Sequence, residues 1–168
     1  LTQANLFTIP LDQHRGWYRY HHLFGEFLAA RYRGMDQEGW TETHRRASDW
    51  FEEAGLRHDG IHHAILAEDE ARAVRQIEVV GLGLVMTGRV ATLNTWLGRI
   101  PDFVIERNPV LCIFKAWSCV QYRQLDEAER WLSNLPLDGC DPELGEVICC
   151  QAAVIRSSVA RLRVDVPE

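Results

Sequence analysis

An all-α superhelix of stacked antiparallel helix pairs, opened by a short β-hairpin, is what this 168-residue sequence predicts. Three observations carry that expectation. Apolar residues recur at helical spacing from His22 onward. Glycines, prolines and N-cap residues break that pattern into short segments. The first stretch alone is β-branched and aromatic around a turn signal.

The elements follow in order. "NLFTIPL" and "WYRYH" flank "DQHRG", where Asp12 and Gly16 supply turn chemistry for a hairpin. Beyond it Leu23, Phe24, Phe27, Leu28 and Tyr32 share one helical face, and Gly34 is expected to end that helix. Hairpin followed by helix is how a winged-helix domain closes, so residues 1–34 read as the C-terminal part of one and 35–168 as helical repeats. The next helix is expected to start near a Thr cap, to bury Trp40, His44, Ala47, Trp50 and Phe51, and to stop at Gly55. "DGIHHAILAED" offers Ile61, Ala64 and Ile65 as its apolar face. "DEARAVRQIEVVG" and a separate short "LGLVMTG" follow, bounded by glycines. Val90, Leu93, Trp96, Leu97 and Ile100 mark another helix, which Pro101 stops.

"NPVLCIFKAWSCVQYRQLDEAERWLSNL" then reads as one helix pair, with Pro109 in a favoured first-turn position. Ala116 and Ala128 supply the small residues needed where two helices cross, so this is a tetratricopeptide-like unit, degenerate at Leu135. Gly60 and Ala73 look like the corresponding small residues earlier in the chain. The last helix, through "GEVICCQAAVI", is apolar nearly all round, as if covered on both sides.

Composition limits the function. Net charge is −6 with a pI near 5.6, which argues against a grip on nucleic-acid phosphates. No apolar run is long enough to cross a bilayer, and "LTQANLFTIP" lacks the basic and apolar regions of a signal peptide. Five cysteines without framework spacing suggest reduced thiols in the cytoplasm, with Cys112 and Cys119 acting as small core hydrophobes. An opening Leu and an ending "RLRVDVPE" suggest a piece of a longer protein.

Histidines are the one candidate chemistry. His58 and His62 have the spacing of a helical metal pair, but His62 and His63 diverge around a helix and no carboxylate completes an H-E-x-x-H set. There is no nucleophile elbow, phosphate loop or C-x-x-C. Neither an enzyme nor a metal protein is expected. A sensor or interaction module is, with a free-standing adaptor that binds a protein or peptide as the alternative.

"NLFTIPLDQHRGWYRYHHLFGEFLAARY", then "WFEEAGL", "IHHAI", "GRVATLNTWLGRIP" and the helix pair resemble ATP-dependent LuxR-type transcriptional regulators, the MalT-like group of STAND NTPases. The resemblance covers the chain to about Pro136. It implies an NTPase that binds ATP or ADP, lying before the winged helix, and a DNA-binding helix-turn-helix at the end. Neither the phosphate loop nor the DNA-binding helix is in this sequence, so no cofactor and no nucleic-acid contact are expected here. It also implies that an inducer, small molecule or protein, binds the repeats and that ATP and inducer together permit self-association and transcription activation. "RYHHLF" is similar to the Met-His-Asp element of related proteins, placing His21 on the histidine that touches the ADP β-phosphate. Tyr20 and His22 replace the Met and the Asp. His62 and His63 carry no such role by resemblance.

Overall fold

The computed structural model describes residues 7–10 and 18–164. The turn expected at Asp12–Gly16 lies outside the described residues. Strand β1 (Thr8–Pro10) pairs antiparallel with β2 (Tyr18–Tyr20), Thr8 opposite Tyr20 and Ile9 opposite Arg19. Nine helices follow among the described residues: α1 (His22–Met35), α2 (Gln37–Glu53), α3 (Arg57–Leu66), α4 (Glu70–Met86), α5 (Val90–Leu97), α6 (Asp102–Ile105), α7 (Pro109–Gln121), α8 (Leu125–Ser133) and α9 (Pro142–Val164). Helices α2, α3 and α4 pack on one another in sequence and α7 packs on α8, while α5 and α9 pack most on α7, which also meets α4. This is the expected all-α stack behind a hairpin.

The core lies in the repeats. Ile61, Ile77, Leu93, Leu97, Ile105, Leu111 and Ile155 are fully buried in one cluster running from α3 to α9. Burying such a side chain stabilises by about 1.5–3 kcal/mol. By contrast α1 buries no residue fully, and Leu23, Phe27 and Met35 on it stay exposed. Its aromatic side chains hold the strands instead: Phe24 stacks on Phe7 at 4.5 Å and meets Tyr20 edge-on at 5.6 Å.

Several boundaries differ from the sequence expectation. Helix α1 runs through Gly34 to Met35, because the stop is the following Asp36, whose carboxylate caps α2 by accepting from Gly39 N at 2.8 Å. The cap is therefore an Asp, not a Thr, a substitution of one good N-cap type for another. Trp50, expected inward, is 59% exposed, and Ser48 takes the buried place on α2. The short α6 had no periodic pattern long enough to be read. Helix α9 is covered on one side only among the described residues: Ile148, Ala152, Ile155 and Val159 are buried, while Val147 and Val154 are 53% and 51% exposed.

The largest difference concerns Gly81. It does not separate two helices, and α4 passes straight through it. The glycine serves close approach: a Cβ built there would lie 2.2 Å from Cε2 of the buried Phe114 ring on α7. Gly83, two residues on, meets nothing within 4 Å.

The two glycines predict opposite outcomes in one helix. Gly81→Ala must displace the Phe114 ring and should destabilise the chain by about 1–3 kcal/mol. Gly83→Ala gains helix propensity without a clash and should stabilise by about 0.5–1 kcal/mol. Thermal denaturation of both variants checks this. Equal shifts would refute the assigned role of Gly81.

Candidate functional site

Three helices each turn one stripe of side chains toward a common groove. On α7 these are Val110, Ile113, Phe114, Trp117, Val120 and Gln121; on α9, Leu144, Val147, Ile148, Gln151 and Val154. Spacings of three and four put each set on one helical face. Glu78, Leu82, Val85 and Met86 of α4 form the third wall. The groove has two lobes of about 360 and 440 Å³, joined where Leu82, Trp117 and Gln151 line both. Phe114 can form its floor because Gly81 leaves room for the ring.

Polar groups sit at two points of this apolar surface. The Trp117 indole Nε1–H donates to Gln151 Oε1 at 3.2 Å, fixing the ring between the lobes. At one end Asn108 Nδ2 donates to Glu78 Oε1 at 2.7 Å, while Asn108 Oδ1 caps α7 by accepting from Leu111 N at 3.1 Å. A mostly apolar groove with a few placed polar groups suits a ligand of moderate size. Such a surface binds and orients. It offers no nucleophile beside a base.

His21 lies between β2 and α1, half-buried, with its backbone N–H donating to Phe7 O at 2.7 Å. Its ring is 4.5 Å from that of His22. The position joins strand to helix. His58, in the first turn of α3, packs on Trp96 at 5.2 Å, whereas His62 meets His63 edge-on at 5.5 Å. Among the described residues no three His, Cys, Asp or Glu side chains converge as a metal site.

A second polar feature links α2, α3 and α4. Ser48 Oγ donates to Gly60 O at 2.9 Å, and Gln76 Nε2 donates to Glu52 Oε2 at 3.1 Å and reaches Ser48 Oγ at 3.4 Å. Gly60 is needed here, since a Cβ would stand 2.7 Å from Gln76 Oε1. Arg72 of α4 pairs with Asp49 of α2 beside it, and Arg45 with Asp69 at 4.0 Å. Sequence reading placed Gly60 and Ala73 at close crossings but missed Gln76, which falls on an apolar stripe with Ala73 and Ile77. A polar residue at an inward position was the available signal. The groove itself was not legible, because it depends on how far α4 and α9 stand from α7.

Fold and site together define a hairpin and helix joined to a stack of helices that carries an apolar groove. Residues 1–41 match the family model of the MalT winged helix domain, and the match ends inside α2. The HTH-type transcriptional regulator MalT of Vibrio cholerae is 29% identical over 117 residues, 70% of this chain and 13% of that protein. MalT of Vibrio parahaemolyticus is 29% identical over 136 residues, 77% of this chain and 15% of its own. Serine/threonine-protein kinase PknK of Mycobacterium tuberculosis is 32% identical over 113 residues, 67% of this chain and 10% of the kinase. The chain is MalT-like, and it spans 10–15% of the length of these relatives. No solved structure matches it significantly. No helix among the described residues is long and apolar enough to cross a membrane.

Proposed function

We propose that this chain is the coupling and sensor segment of an ATP-dependent LuxR-type transcriptional regulator in the cytoplasm. Residues 1–34 close the winged helix and residues 35–168 form the repeat sensor. The observation that carries the reading is the groove between α4, α7 and α9, whose third wall, α4, is also held to α2 through Gln76. An inducer settles on Leu82, Trp117 and Val147, oriented by Gln151 and Glu78, and its binding bears on α4. The same segment in a kinase and in DNA-binding regulators supports a role that is neither phosphoryl transfer nor DNA contact. What such proteins can share is detection and relay. ATP or ADP binding, catalysis and DNA contact belong to other parts of the full-length protein, where nucleotide and inducer together permit self-association. This segment itself acts as no enzyme and touches neither nucleic acid nor membrane.

The groove is tested in the full-length regulator with a transcription reporter. Leu82→Arg and Val147→Arg alter exposed groove positions. They should abolish the inducer response while leaving the unfolding temperature within a few degrees of wild type. An undiminished response in both well-folded variants would contradict the reading.

His21, placed between strand and helix, is assigned to hold the ADP-bound resting state. Removing one charge-assisted hydrogen bond to phosphate costs that state about 1.5–3 kcal/mol. His21→Ala should therefore weaken ADP retention and raise basal transcription without inducer. Unchanged ADP affinity and basal activity in a folded variant would remove His21 from the switch.

A further inference from the structure

A row of rings crosses the junction between the winged-helix end and the repeats. Tyr32 of α1 meets Trp40 of α2 at 6.1 Å, Trp40 stands edge-on to His44 at 4.2 Å, and His44 lies beside His63 of α3 at 4.9 Å. Phe51 covers the other side of His63, nearly parallel at 5.1 Å. Within this row the Nδ1 atoms of His44 and His63 are 2.7 Å apart.

That distance fixes the protonation. Two bare lone pairs repel at this separation, and two N–H groups clash. One Nδ1–H must donate to a bare Nδ1 on the other ring, so at least one imidazole is neutral. Both rings are half-buried. Burial lowers the pKa of each below the usual histidine value, and neighbouring positive charge adds to it, from His63 and His62 on His44 and from His62 on His63. Asp59 acts the other way on His63.

The surrounding elements offer little to compensate a second charge. Helix α3 carries Asp59 and His62. Helix α1 contributes the Tyr32 phenol, one ring further out. The charged Arg45 and Asp49 of α2, and Arg72 of α4 with its cap Asp69, are engaged with one another, and Arg45 also with Glu42. Helix α5, which also touches α3, has no ionisable side chain.

We propose that the His44–His63 hydrogen bond is a proton-sensitive latch between α2 and α3, closed while one Nδ1 is bare and opened when both rings are protonated. Because the folded pKa values are depressed, the folded chain binds fewer protons than the unfolded one. The latch contributes fully above the ordinary histidine pKa of about 6.5 and is lost as pH falls below it, through the lower folded values. Acidification thus loosens α2, the helix next to the winged-helix end, from the first repeat helix.

The test measures unfolding temperature from pH 8 to pH 5 on the whole chain. Wild type should lose stability steeply below about pH 6.5. The double variant His44→Asn, His63→Asn keeps a neutral hydrogen-bonding pair without titration, so its loss over the same range should be clearly shallower. His62→Asn removes a charge that lowers both values and should flatten the slope only in part. Histidine NMR titration of the wild type supplies an independent reading, with both rings titrating below the ordinary value and one Nδ1–H held in a hydrogen bond. Equal slopes in wild type and double variant would overturn the latch. If the double variant does not fold, NMR decides: rings titrating independently at the ordinary value would overturn it equally.

Discussion

A single buried amide ties the helices next to the winged-helix end to the rest of the stack. Gln76 is almost fully buried, and its Nε2 reaches from α4 to the Glu52 carboxylate and the Ser48 hydroxyl on α2, while Ser48 donates to the backbone of α3 at Gly60. Each such bond contributes only about 1 kcal/mol net, but a buried partner left unpaired costs about 1–3 kcal/mol. The asymmetry makes the cluster cooperative. Helix α2 cannot leave α3 or α4 without stranding a polar group, so the three helices, which also pack closely in sequence, behave as one joint.

That joint places the two features of functional interest on one lever. The inward side of α4 carries Ala73, Gln76 and Ile77, and the groove side carries Glu78, Leu82, Val85 and Met86. Gly81 brings the same helix close to Phe114, so the groove floor and the joint cannot shift independently. A ligand that presses on Leu82 works against a helix anchored through Gln76. Along the same face of α2, one and two turns before Ser48, the imidazole and aromatic row continues toward Tyr32 and the winged-helix end. Side chains thus run in contact from the groove wall to the winged-helix end.

How much of this was legible in the sequence differs from element to element. Helix α5 could be read almost residue by residue, since Val90, Leu93, Trp96 and Leu97 are all buried as their spacing requires. Pro109 and Ala116 likewise gave α7 and its crossing with α8. Gly81 misled, because a glycine that ends a helix and one that admits a neighbour's ring look identical in one dimension. Trp50 misled for a related reason: size and apolarity favour burial, but Ser48 was needed inward for its hydroxyl. The pairing of His44 with His63 had no local signal at all, since it joins residues on two helices whose separation only packing sets. His21 was placed by resemblance, and its setting between strand and helix follows from a short motif.

The claim that α2, α3 and α4 form one joint is tested most directly by native-state hydrogen exchange. The account predicts that amides in the middle of these three helices open with a common free energy. It also predicts that Gln76→Ala lowers protection in all three together, leaving α8 nearly unchanged. Faster exchange confined to α4, with α2 and α3 still at wild-type protection, would contradict it.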